Sequence, residues 1–185
     1  VLAWPFLNSY KDALERTYWF HLTEDEAFHT ELIERLTQTG QYGKWIDLPF
    51  SPTLTTGPSV ILPSSLLSWI TGISSARSGR IIVLIYHLLL LYFSFKLVTG
   101  RLQFGRPLHL SQKFLLFFVF CGIFHLCWRS LQESSYYVYG ILGEGPASFF
   151  LVFTFYWVHK RNWVFAGLSA SLAVFAKPYF GLLPA

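Results

Sequence analysis

The densest group of chemistry-bearing side chains is Thr23-Glu24-Asp25-Glu26-Ala27-Phe28-His29, three carboxylates and an imidazole in one short span. On a helix, Asp25 and His29 stand four apart and Glu26 and His29 three apart, so both carboxylates can share a face with the ring. A carboxylate beside an imidazole can hold a divalent metal ion or take a proton from an incoming nucleophile. The same residues also suit a helix start. Acids in a first turn complement the helix dipole, and Thr23 followed three positions later by Glu26 is a capping box. Both readings stand on the residues alone.

Two more ionisable groups sit against apolar sequence. Glu144, in Gly143-Glu144-Gly145-Pro146, precedes an apolar run and is either a helix cap or a second acid or metal ligand facing the first site. Lys177, followed by Pro178, falls inside the last apolar run. An ionisable residue there is costly and points to function; its ammonium can pair with a lipid-linked phosphate or snorkel to the interface. His87 and His125 are single histidines in apolar helices and read as packed or hydrogen-bonded. Cys121 and Cys127, six apart, match neither a zinc nor a redox pattern and read as small buried hydrophobes. There is no phosphate-binding glycine loop, no Gly-x-Ser-x-Gly elbow and no His-Glu-x-x-His.

The elements that must position these groups are mostly greasy. Of the 185 residues, 53% are hydrophobic and 19% aromatic, and only 13% are charged, against about 25% in a typical soluble domain. That balance predicts an integral membrane protein. The net charge of +4 is not gathered into a basic stripe with interleaved aromatics, so no nucleic-acid partner is expected. The chain lacks methionine, starts as if already inside a hydrophobic segment and has no polar tail, which reads as an excerpt of a longer protein.

Residues 1–8 read as the end of a membrane helix, and residues 9–78 as one long external loop. Within the loop, Phe28, Leu32, Ile33 and Leu36 recur at helical spacing, with Gly40 as a stop. This helix is too short and too charged to span a bilayer, so it is expected at the interface. Ser59 to Ile73, interrupted by Pro63 and closed by Gly72, falls below the ~20 residues a span requires and reads as juxtamembrane or re-entrant. Residues 79–185 hold four longer runs: Ile81 to Val98, Phe114 to Trp128, Pro146 to Val158, and Trp163 to about Leu183. The expected fold is therefore all-α, a polytopic helical bundle with a long first external loop carrying juxtamembrane helices.

All ten acids lie between Asp12 and Asp47 or at Glu133 and Glu144, whereas Lys96, Arg101, Arg106, Lys113, Lys160 and Arg161 flank two other loops. If residues 58–73 do not span, both basic loops fall on one side, which the positive-inside rule makes cytoplasmic. If they did span, the loops would face outward, and the charge rule favours the first arrangement. Asp25, Glu26, His29, Glu144 and Lys177 then share the external face.

The order of these parts resembles a bacterial GT-C-type membrane glycosyltransferase, in the group of dolichyl-phosphate-mannose protein mannosyltransferases and lipid A aminoarabinose transferases. The resemblance is carried by the Asp25-Glu26 pair opening a helix, the Thr56-Gly57-Pro58 loop leading to Leu62-Pro63 and Gly72, the later acid Glu144, and Ala176-Lys177-Pro178. It covers the N-terminal portion of such an enzyme. By that resemblance Asp25 is the first-loop acid near the reacting centre and Glu26 its companion. Glu144 matches the second-loop acid, where many members carry Asp, and Lys177 matches a lysine near the donor phosphate. Gly57-Pro58 stands where some relatives have Lys-Pro, which removes one phosphate contact. The implied chemistry is transfer of a sugar from a polyprenyl-phosphate carrier to a lipid, glycan or protein acceptor, with a divalent metal held by Asp25, His29 and Glu144 as one option. The implied setting is the bacterial plasma membrane, surrounded by membrane lipids. The competing reading is a polytopic transporter or scaffold subunit that uses Lys177 and Glu144 as a membrane-embedded ion pair.

Overall fold

The computed structural model describes residues 24–42, 57–101, 109–131 and 143–177, with residues 24, 25, 101 and 124–131 described by backbone alone. The expected helix end at 1–8, the Thr23 cap and the tail of the last run lie outside the described residues. Among the described residues there are six helices and no strand: α1 Glu24–Thr39, α2 Pro58–Thr71, α3 Ser75–Arg101, α4 Leu110–Leu131, α5 Glu144–His159 and α6 Trp163–Ala176. One of them, α3, is long and apolar enough over Ser75–Gly100 to cross a membrane; Leu110–Ile123 and Trp163–Ala176 are shorter apolar helices.

Local chemistry sets most boundaries. Gly40 and Gly72 adopt the left-handed conformation (φ 68° and 69°) that glycine takes without steric cost, and they end α1 and α2 as expected. Asn162 caps α6 by accepting a hydrogen bond from the Phe165 amide at 3.2 Å. Pro58 opens α2, where its missing N–H costs nothing. Pro63 was expected to interrupt this segment, yet α2 runs through it. A proline at that position leaves the Ser59 carbonyl without its i+4 donor. The Tyr86 hydroxyl on α3 donates to that carbonyl at 2.8 Å, a replacement worth about 1 kcal/mol.

The helix α3 begins at Ser75, ahead of the apolar run at Ile81, and carries Arg80 into the packed interior. Its direction relative to its neighbours follows from named contacts. Tyr86 meets Phe149 and Phe150, and Phe93 meets Phe153 and Tyr156 at ring-centroid distances of 4.6 and 5.1 Å, so α3 and α5 run parallel. The tight turn at 72–74 and the Tyr86–Ser59 bond make α2 antiparallel to α3. Trp157 stacks on Phe165 at 4.9 Å across the turn that sends α6 back along α5. Phe95, near the end of α3, meets Phe117 and Phe120 near the start of α4.

The buried face of α6 is small and its outer face large. On α6, Ala166, Ser169, Ala173 and Ala176 are buried, while Trp163, Val164, Leu168, Leu172 and Phe175 face outward. On α2 the buried face combines Val60 and Ile61 with Ser64, Ser65 and Ser68, and the outer face carries Leu62, Leu66, Trp69 and Ile70. Helices in water turn their large apolar side chains inward; small residues at the helix contact with bulky ones outside are the arrangement found in lipid. The buried serines are satisfied locally. Ser64 donates to the Val60 carbonyl at 2.7 Å and Ser65 to that of Ile61 at 2.9 Å.

In α1 the expected stripe faces inward at Leu32, Ile33 and Leu36 but not at Phe28, and polar residues join it. Glu26, His29, Thr30, Leu32 and Ile33 are buried, and Phe28 is exposed. Glu26, Thr30, Ile33 and Thr37 follow one another at three- and four-residue intervals, so a partly polar face wins the interior. The physical reason lies on the facing helices. Ser65 on α2 donates to the Ile33 carbonyl at 3.2 Å, and Arg80 on α3 receives Glu26.

Candidate functional site

The site is built where three helix ends meet. The residue before a proline is driven out of the helical region, so Pro178 in the sequence makes Lys177 the end of α6, with extended backbone at φ −143° and ψ 105°. That exposes the last carbonyls of α6 to new donors. The Gly57 amide, at the start of α2, donates to the Ala176 carbonyl at 2.9 Å. Ser59 Oγ donates to the Leu172 carbonyl at 3.2 Å. Positive helix starts thus meet a negative helix end.

Gly57 and Gly143 are required by this junction. A Cβ on Gly57 would run into the Phe175 carbonyl, and one on Gly143 into the Ala176 carbonyl and the Lys177 side chain. The backbone of Gly57 (φ −93°) is open to any residue, so the contact decides. Gly57→Ala is expected to destabilise by about 1–3 kcal/mol, against the few tenths of stabilisation that Gly→Ala gives at an open position. Thermal unfolding of the detergent-solubilised protein measures which sign holds.

With Gly143 tight against α6, Glu144 enters the first turn of α5 and reaches Lys177. The Lys177 Nζ donates to Glu144 Oε1 at 2.5 Å, with the lysine side chain 11% and the glutamate 36% exposed. Lys177 is thus drawn inward to a carboxylate. The second carboxylate oxygen, Glu144 Oε2, is buried and has no hydrogen-bond partner among the described residues. It offers lone pairs to a hydroxyl or a cation.

The first-loop group is anchored on a separate ion pair. Arg80 Nε donates to Glu26 Oε1 at 2.7 Å and Arg80 Nη2 to Oε2 at 3.2 Å, with the side chains 5% and 3% exposed. This is the fork geometry that arginine matches to a carboxylate. Both oxygens of Glu26 are engaged, so its role in this structure is to tie the start of α1 to α3. Asp25 stands beside it on the α1 backbone, with its side chain outside the described residues. His29 is buried one turn further along α1.

Of the residues singled out in the sequence, Glu144 and Lys177 are in direct contact, and Gly57 joins them through Ala176. The Glu26–Arg80 pair and the junction both lie along the N-terminal half of α3, where Tyr86 takes the Ser59 carbonyl at the start of α2 and packs on Phe149 and Phe150 early in α5. Among the described residues no group of three or more His, Cys, Asp or Glu side chains is gathered as a metal site would require. The set of Asp25, His29 and Glu144 therefore has no described geometry. Sequence reasoning missed Arg80. The signal available was an arginine just ahead of an apolar run, facing a loop rich in acids.

Comparison with known protein families, with curated proteins and with solved structures returned no match. The class that fold and site define is an all-helical protein with one candidate membrane span and a polar junction at one end of its helices.

Proposed function

We propose that this chain is the N-terminal part of a multi-pass membrane glycosyltransferase that moves a sugar from a polyprenyl-phosphate donor to a lipid, glycan or protein acceptor at the outer face of a bacterial plasma membrane. The observation that carries this reading is the junction of Gly57, Glu144 and Lys177. Three segments distant in sequence, each singled out by the resemblance, come together there through hydrogen bonds and an ion pair.

The span-length apolar helix α3 and the small buried face of α6 with its bulky outer face support membrane placement of the bundle. In the reaction, an acceptor hydroxyl oxygen forms a bond to the anomeric carbon of the sugar. The bond from that carbon to the phosphate oxygen breaks, and its electron pair leaves on the polyprenyl phosphate. Asp25 takes the hydroxyl proton. Lys177 offsets the charge developing on the departing phosphate, which strengthens in a site shielded from water. Glu144 holds Lys177 and turns Oε2 to the incoming hydroxyl. Glu26 and Arg80 fix the first turn of α1 and with it Asp25.

A second reading has one observation in its favour: the Lys177–Glu144 pair is formed, as a transporter or scaffold built around an intramembrane ion pair requires. One assay separates the two. The full-length protein is incubated in membranes with a panel of polyprenyl-phosphate sugars and acceptor extract, and release of the polyprenyl phosphate is measured. Turnover of at least one donor is expected; no turnover across the panel favours the transporter or scaffold.

A further inference from the structure

The end of the bundle opposite the junction has a chemistry of its own. The Lys96 ammonium lies 5.6 Å from the centroid of the Tyr92 ring, and that of Lys160 5.9 Å from the Tyr156 ring. In both pairs the tyrosine precedes the lysine by four residues, one turn nearer the apolar middle of its helix. Phe93 packs on Tyr156 at 5.1 Å, which sets the two pairs at one level on the parallel neighbours α3 and α5. Arg161 is exposed in the adjoining turn, and Lys113 is exposed at the start of α4, one turn beyond the Phe117–Phe95 contact. No aspartate or glutamate occurs from residue 48 to 132 or after Glu144, so these four cations meet no acid from their own segments.

We propose that this end is a docking surface for anionic phospholipid headgroups. The proposal rests on the membrane placement argued above and adds which lipid the protein holds, and where. Charge complementarity selects the occupant: each lysine or arginine near an anionic leaflet contributes several-fold to affinity. The cation–π contacts hold two ammoniums beside aromatic rings of the kind enriched at the headgroup level. Leu110, Trp163 and Val164 are exposed at the same end. Apolar side chains directly beside the cations fit a ligand with a charged head and acyl tails.

The test uses the purified full-length protein in a neutral detergent, with retained lipid counted by native mass spectrometry. Phosphatidylglycerol and phosphatidylcholine are added in separate arms, and inorganic phosphate in a third as competitor. Selective retention of phosphatidylglycerol is expected, reduced at least tenfold in Lys96→Gln/Lys113→Gln/Lys160→Gln/Arg161→Gln and preserved when the three lysines are changed to arginine. Equal retention of both lipids, or unchanged retention in the glutamine variant, overturns the proposal. Full displacement by inorganic phosphate also overturns it, in favour of a free-phosphate site. Retention of neither lipid would instead remove the membrane placement on which it rests.

Discussion

Arg80→Leu is expected to destabilise the protein by about 3–5 kcal/mol, the usual cost of stranding one partner of a buried ion pair. The Glu26 carboxylate, 3% exposed in the pair, would stay in the interior without the two N–H groups of Arg80. Arg80→Lys is expected to recover only part of the loss, because an ammonium keeps the charge but cannot present two parallel N–H groups. Glu26→Leu/Arg80→Leu is expected to recover more than either single change, since apolar pairs often replace buried ion pairs without loss. Thermal unfolding of the four proteins in one detergent measures the order. A double variant as unstable as Arg80→Leu would contradict this account of the pair. Amide hydrogen exchange should place the damage at the start of α1. Its later turns keep the Ser65 contacts to the Ile33 carbonyl and to Thr37.

The second large effect concerns chemistry. Asp25→Asn is expected to abolish transfer in the complete protein, a fall of about 10²–10⁴-fold or more, while membrane insertion is unchanged. The amide has nearly the shape of the carboxylate but cannot take the acceptor proton. The readout is release of polyprenyl phosphate from whichever donor the wild-type protein turns over, alongside membrane-fraction levels of both proteins. Undiminished activity would remove Asp25 from the reaction and with it the assignment of the first-loop acid. Arg80→Lys belongs in the same assay. If Arg80 acts by holding the first turn of α1, its activity loss should track its loss of protection at that turn.

Much of the local architecture was legible in the residues. The helical spacing of Leu32, Ile33 and Leu36, the glycine stops at 40 and 72, the proline start of α2 and the apolar run of α3 all act within one or two turns of chain, where sequence pattern has direct physical meaning. The segregation of acids and bases was equally plain, because it is a property of the order of residues alone.

What tertiary structure decided were the choices between partners far apart in sequence. Spacing could offer Asp25, Glu26 and His29 as one face, but it could not say which would be claimed. Arg80, on the second helix after α1 and 54 residues from Glu26, takes both of its oxygens. Pro63 predicts a break by local rules, and Tyr86, on the next helix, supplies the donor that closes it. The inward face of α1 keeps Leu32, Ile33 and Leu36 and adds Glu26 and Thr30, with Glu26 meeting its donor on α3. Gly57 and Gly143 look like ordinary loop glycines until the end of α6 arrives against both, Phe175 at Gly57 and Ala176 at Gly143. Glu144 and Lys177 were each balanced between cap or snorkel and function, and the meeting of α5 with α6 pairs them. Local rules set where helices start and stop; which buried charge finds which partner is settled only when the helices pack.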